Sequence, residues 1–589
     1  MGTISDKLMR IINTKEDIRK ALISKGYDVP TSIPFKEYAK MILDLPCKVD
    51  SFPDIEGIVA RYSASGLTNE QMAANPVWVD KTGNGHDIQL KNFSWKGMSG
   101  VGEYVQDFNY FRNNATVDKV RIDEQSSNSI KVTLLTSGMG YVIYTPKDVY
   151  QFNKSYFIKI SSEGYNEGDL FLSFYAPSTS TATTVKVPLN PNGITEIPAI
   201  KEDDFLAVYL FNAAGKVGSI TIEQLPLYPG ALVFDGVDDY GVCENFPILT
   251  KEKGYTVVAL RQWISMGEGI SGLVSNVKNW FNDGAFVLEY NSNNATNKFV
   301  NRPVSFGNVN IEMDLPNNFT YQTSKSYKGV PITTGSFKGT NSLFVGKLNN
   351  IIGNYSNVAI WELVFLDHDA TEEELTKIKD YFVKIYPWLF PNQAWTVTGK
   401  TNEDEDRATI ANITGNGNDL VLSNFGFAEG SGYNEEGEYA GYLVTDGVDD
   451  KIASSDFKID KDFTIVGDWK FIIDENKGCG LVKVPKLFIY NSKTGLDIYI
   501  NSNSIKNILS GIKGLNAVCS DGRVYDCNWN EISVKYGNIV DINSSFLIAN
   551  SGNIFTKMAF KNLGIYNNQL LSKDECIKAY NYLQTLKAK

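Results

Sequence analysis

The chain repeats itself, and this repeat constrains the fold more than any other feature. Thr82-Gly-Asn-Gly-His-Asp87 returns as Thr414-Gly-Asn-Gly-Asn-Asp419 at an offset of 332, and Thr68-Asn69-Glu70 returns as Thr401-Asn402-Glu403 at 333. Asp235-Gly-Val-Asp-Asp239 recurs as Asp446-Gly-Val-Asp-Asp450, but the offset has fallen to 211. Ser342-Leu-Phe-Val-Gly346 then matches Ser545-Phe-Leu-Ile-Ala549 at 203, and Asn357-Val-Ala-Ile-Trp361 matches Asn562-Leu-Gly-Ile-Tyr566 at 205. The single large break places roughly 120 extra residues in the first copy. The expected organisation is a helical segment over 1–46, a domain built from 47–100 plus 226–390, an insertion over 101–225, and an uninterrupted second copy over 391–589.

Each copy opens with turn-rich sequence and continues in short β-branched and aromatic runs such as Tyr255-Thr-Val-Val-Ala-Leu260 and Phe463-Thr-Ile-Val-Gly467. Each closes with a helix announced by a capping box, Thr371 with Glu374 and Ser572 with Glu575. Short strands separated by Asn-Gly and Asp-Gly turns predict antiparallel sandwiches. The insertion alternates on its own, as in Ser129-Ile-Lys-Val-Thr-Leu134 and Tyr156-Phe-Ile-Lys-Ile160, and predicts a third, smaller sandwich. The first 46 residues differ in kind. Two short amphipathic helices, one carrying Ile18 and Leu22 and the other Tyr38 and Ile42, bury too little alone and need a partner or further copies of themselves; packing on the neighbouring sandwich is the other reading.

Charge and composition narrow the function. The chain of 589 residues carries 56 Lys plus Arg against 68 Asp plus Glu, a net charge of −12, which disfavours nucleic acid or an anionic membrane as partner. No apolar run is long enough to insert in a membrane. Only two histidines exist, His86 and His368, which leaves little for a triad or a zinc site. Six scattered cysteines lack CxxC spacing; Cys519 and Cys527 read either as thiols on neighbouring strands or as a local bridge. The N-terminal sequence lacks a signal-peptide pattern, so export by that route is not expected.

Ala231-Leu-Val-Phe-Asp-Gly-Val-Asp-Asp-Tyr240 resembles the signature strand and turn of laminin-G-like (concanavalin A-like) lectin domains. Asp80-Lys-Thr-Gly-Asn-Gly-His-Asp87 resembles their opening turn, and Val358-Ala-Ile-Trp361 followed by Thr371-Glu-Glu-Glu374 resembles their last strand and terminal helix. Copy two carries the same landmarks, with Thr445 for Phe234 and Tyr566 for Trp361. The resemblance implies a mainly β protein: two concanavalin A-like jelly-roll sandwiches, one interrupted by a smaller β-sandwich, after a short helical segment. Lys15 to Gly26 and Pro34 to Ile42 resemble the start of virion proteins of phages infecting gut bacteria, the crAss-like phages among them. That resemblance implies a protein made in the host cytoplasm, released by lysis and resident in the virion.

Three candidate sites follow. Asp235, Asp238 and Asp239, and likewise Asp446, Asp449 and Asp450, gather hard oxygen donors that suit Ca²⁺, which some relatives of this fold bind; no cofactor is required, and good turn chemistry explains the same residues. For glycans the best-placed aromatic platforms are Trp280 with Asn282 and Asp283, and Trp529 with Asn530, both in polar loop sequence. Trp263 and Trp469 end apolar runs and read as core. Catalysis is not expected: the paired-carboxylate strand of laminarinase-like relatives is absent, and the turn itself explains His86, since copy two has Asn418 there.

The resulting expectation is a non-enzymatic phage fibre or appendage on head or tail. Residues 1–46, through Ile18, Leu22, Tyr38 and Ile42, would anchor it to other virion proteins. The resemblance favours a homotrimer, and the sandwiches would contact cell-surface or mucus glycans. A purely structural virion part and a free bacterial lectin are the competing readings.

Overall fold

The computed structural model describes Lys15 and residues 52–588 outside the stretches 115, 117, 137–140, 167, 213–215, 266–269, 277–286, 292–299, 304–310, 313–318, 328–329, 332–339, 348–354, 473–478, 485–486, 493–494, 501–502, 506–513, 534–541 and 549–556. The chain divides into Met1–Ile55 and Glu56–Lys589. Ile18, Leu22, Tyr38 and Ile42 of the expected helical segment lie outside the described residues.

The chain is mainly β, in antiparallel sheets packed as sandwiches. One eight-stranded sheet of the first copy is built around Asn357–Leu366, flanked by Thr256–Trp263 on one side and by Leu232–Asp235 and Ile58–Ser63 on the other. Its partner sheet runs Val77–Trp78, Ile88–Lys91, Tyr240–Cys243, Leu343–Val345, Ile270–Ser275 and onward. The second copy repeats both strand orders, with Met558–Asn567 at the centre, Phe463–Phe471 on one side, and Tyr442–Val444 and Gln393–Thr396 on the other. Facing side chains fill each interior. Tyr62, Phe234 and Val257 meet Trp78, Ile88 and Val345 in copy one; Trp395, Trp469 and Phe560 meet Ile410, Leu420 and Ile452 in copy two. Trp263 and Trp469 are core.

Between Val101 and Leu232 the chain leaves copy one and forms two five-stranded sheets. One is centred on Ala207–Asn212 and the other on Gly218–Gln224. The alternation that marks these strands in sequence is their core pattern: Ile130, Val132 and Leu134 point inward with Ile158, Ile160, Ile220 and Ile222.

The central strands correct the sequence alignment of the two copies. Phe234 lies opposite Val358, and Thr445 bonds to Met558, so the strands correspond at an offset of 200, not 205. Lys561, not Tyr566, stands where Trp361 does. The reason is physical. Asn357–Leu366 and Met558–Asn567 are buried on both faces, because a helix covers the side away from the core. Such a strand lacks the polar–apolar alternation that pins register in sequence.

Both capping boxes are closed, on Glu372–Ile385 and on Lys573–Gln584. The first of these helices covers a buried ion pair. Arg61 and Glu362 project from adjacent strands, with Arg61 Nε donating to Glu362 Oε2 at 3.3 Å. Tyr386 donates to Glu362 Oε1 at 2.9 Å and Arg61 donates to the Tyr381 hydroxyl at 3.0 Å. Copy two places Ala394 and Asn562 at these positions, and Asn562 Oδ1 accepts from the Asp468 N–H at 3.2 Å instead. Arg61→Met is expected to cost roughly 3–5 kcal/mol because it breaks a buried, hydrogen-bonded ion pair by removing one partner, whereas Arg61→Met with Glu362→Leu recovers most of the loss. Denaturant unfolding of the two variants against the parent checks this.

Candidate functional site

The duplicated strings are turns closed by their own side chains. Asp80 Oδ1 accepts from the N–H groups of Arg61 and Thr82, and Asn412 Oδ1 accepts from those of Ala394 and Thr414. The backbone oxygen of residue 86 accepts from Tyr62, and that of 418 from Trp395 at 3.0 Å. The position works through its carbonyl, which is why His86 and Asn418 interchange. Asn69 clamps Val101 from both sides, Oδ1 accepting at 2.7 Å and Nδ2 donating at 3.3 Å; Asn402 clamps Tyr433 at 2.8 Å twice. Gly100 permits the approach: its φ is +130°, and a Cβ there would sit 2.4 Å from Asn69 Oδ1.

The acidic turns obey the same logic. Asp235 Oδ1 accepts from the N–H groups of Val237, Asp238 and Asp239 at 2.8, 3.3 and 3.4 Å, and Asp239 Oδ2 accepts from the Asp235 N–H at 3.1 Å. In copy two Asp446 Oδ1 takes Val448, Asp449 and Asp450 at 2.7, 3.3 and 3.5 Å, and Asp450 Oδ2 takes Asp446 at 2.7 Å. Within each trio one ligand oxygen per residue lies within 4.8 Å of the others, and carboxylates are donors that suit Ca²⁺. The first Asp of each turn spends one oxygen on three backbone groups, so its own side chain closes the turn.

Burial, with the Asp235 charge beside it, pushes the Asp239 carboxyl up to about 7, and burial pushes Asp450 up to about 6. Folding therefore raises both above the usual 3.8. The stability this gives is complete at low pH and is lost as pH rises, through about 7 for Asp239 and about 6 for Asp450. Asp239→Asn removes the first component. Melting curves should show the variant gaining on the parent between pH 4 and pH 7, with a constant difference above that.

The expected aromatic platforms fare differently. Trp280, Asn282 and Asp283 lie outside the described residues. Trp529 is 2% exposed and is no platform, which corrects its expected exposure. Its φ is +62°, and its N–H bonds to Asp526. That backbone turns the ring inward, where Tyr580 of the closing helix meets it edge-on at 5.6 Å. Tyr580 in turn meets Phe157 of the insertion at 5.3 Å, and Asn190 donates to the Asn528 carbonyl at 3.2 Å. Trp529 thus braces the insertion against copy two. Asn530 remains exposed beside it, bonded to Asp526. Trp529→Ala should cost about 3–5 kcal/mol and expose the insertion–copy two contact to protease, read by unfolding and by limited proteolysis.

The sequence does not single out the cleft where copy one meets the insertion. It holds about 450 Å³ and is bounded by the 94–99 loop, Asp107, the 148–154 loop and Asp235 of the first acidic turn. Lys154 is ion-paired to Glu103 and donates to Gln151 Oε1 at 2.8 Å; Lys96 stands 3.6 Å from Asp107 Oδ2. Asp107 is 3% exposed, its Oδ1 caps a turn by accepting from the Asn109 N–H, and its Oδ2 accepts no hydrogen bond. Phe152 packs on Tyr150 and Phe205 at 5.1 and 5.5 Å. The one available signal was Val149-Tyr-Gln-Phe152, aromatics in polar loop sequence.

Cys519 and Cys527 are not bridged to each other, and neither Cys243 nor Cys576 is in a disulfide. Among the described residues no helix is long and apolar enough to cross a membrane.

No family model and no curated protein matches the chain. Among solved structures it is similar to a Trypanosoma rangeli sialidase, at 10% identity over 83% of this chain and 97% of that one, with a TM-score of 0.23. It is also similar to the binding domain of botulinum neurotoxin serotype D, at 12% identity over 58% and 88%, with a TM-score of 0.23. In the alignment with the sialidase bound to a difluoro-KDN compound the chain spans 62% of that protein's length, at a TM-score of 0.20. Scores this low carry no argument about mechanism or ligand, and the fold rests on the strand pairings above. They do correct one expectation: with sialidases among the structures it aligns to, the exclusion of enzymatic activity is withdrawn.

Proposed function

We propose that the chain is a surface appendage of a tailed-phage virion that adheres to glycans. In this reading residues 1–46 anchor it to other virion proteins, three copies assemble together, and the sandwiches face the host surface or mucus. The duplicated opening turns and Asp-Gly-Val-Asp-Asp turns support a laminin-G-like assignment of the two large sandwiches.

The observation that carries adhesion is the cleft between copy one and the insertion. It combines aromatic carbon at Phe152 with charged and amide groups held in place by their own partners, the mixture a sugar's alternating C–H faces and hydroxyls require.

The test is binding of the full chain to host cells and to capsular glycans, with Ca²⁺ and with chelator. Saturable binding is expected. Loss with chelator assigns a metal to the acidic turns, and absence of binding under both conditions overturns the adhesive reading.

A further inference from the structure

The cleft's charges discriminate among sugars. Two cations, Lys96 and Lys154, line it together with three carboxylates, Asp107, Asp148 and Asp235, and the buried Glu103 stands behind Lys154. Both lysines are engaged by acidic groups, Lys96 by Asp107 across the cleft and Lys154 by Glu103 behind it. A ligand carboxylate or sulfate would thus meet excess negative charge and cations already held by carboxylates, in a recess where like charges repel strongly. A hydroxyl or ammonium group meets the reverse: Asp107 Oδ2, buried and 3.6 Å from Lys96, still accepts no hydrogen bond, and Asp148 is an exposed carboxylate at the rim.

The cleft also belongs to one copy only. Asp107 and the 148–154 loop come from the insertion. Where copy one has the whole module between Val101 and Leu232, copy two passes from Asn434 to Tyr442 in a short connection. The counterpart loop over 426–431 therefore has no opposing wall supplied by an insertion.

Resting on the adhesive reading above, we propose that this cleft binds a neutral or amino-bearing sugar unit of a glycan, once per chain, and discriminates against acidic sugars. A volume of about 450 Å³ lies within the range of small-ligand sites and suits a short terminal segment, not a long polymer.

The test is calorimetric titration of the full chain with maltotetraose, chitotetraose, the chitosan tetramer, sialyllactose and tetragalacturonate. At least one neutral or amino-bearing probe should bind roughly tenfold or more tightly than both acidic ones, at one site per chain. Phe152→Ala should weaken that binding about tenfold. Asp148→Lys, an exchange at an exposed position, should narrow or reverse the preference, and a cooperative melting transition well above the assay temperature confirms that each variant folds. Tighter binding of an acidic probe, or two equivalent sites per chain, overturns the proposal. Glycan binding indifferent to both variants places the site elsewhere and overturns it too, while leaving the adhesive reading intact. If no probe binds and host cells and capsular glycans are also not bound, the adhesive reading fails and this inference with it.

Discussion

The pairing of one long strand with neighbours on both sides holds each half of this molecule together. In copy one Asn357–Leu366 bonds along its length to Thr256–Trp263 and divides its other edge between Leu232–Asp235 and Ile58–Ser63. Those last two strands lie on opposite sides of the insertion in sequence. Their shared neighbour rejoins a domain that the chain has left and re-entered. Loop-closure entropy grows slowly with loop length, so an excursion through a self-contained module costs the parent sheet little once its ends are pinned side by side. The Asn69 clamp on Val101 and the paired backbone bonds between Gly102 and Ala231 and between Tyr228 and Gly102 do that pinning.

The same central strand sets where polar groups are allowed. A helix on its outer face creates a second dry layer, so anything polar there needs a partner built in. Copy one answers with Arg61, Glu362, Tyr381 and Tyr386; copy two, with Asn562 and the Asp468 backbone. Duplication preserved the strand order and the turn chemistry while this buried network diverged. A turn closes by local hydrogen bonds that depend on one side chain and its neighbours. A buried pair need only be satisfied, and several chemistries do that equally well.

The candidate site arises from the insertion's placement. Its loops face the opening loop of copy one on one side, and on another its surface meets the closing helix of copy two through Phe157, Tyr580 and Trp529. A sequence search for sugar platforms looks for aromatics in polar loops. That criterion selected Trp529, but a left-handed backbone turns that ring into an inter-module contact. The same criterion applied to Val149-Tyr-Gln-Phe152 would have found one wall of the cleft, but not the second wall, which is some fifty residues earlier in the chain.

The sequence by itself determined the duplication, the β character, the capped closing helices and the self-closing Asp and Asn turns. Each of these is written in local spacing and decided by side chains within a few residues of the backbone they bond. Tertiary structure alone decided three things: the register of the central strands, the fate of Trp529, and the meeting of Asp107 and the 148–154 loop with Asp235. A strand buried on both faces has no alternation to read, a ring's exposure depends on what packs over it, and a cleft between modules exists only once both are in place.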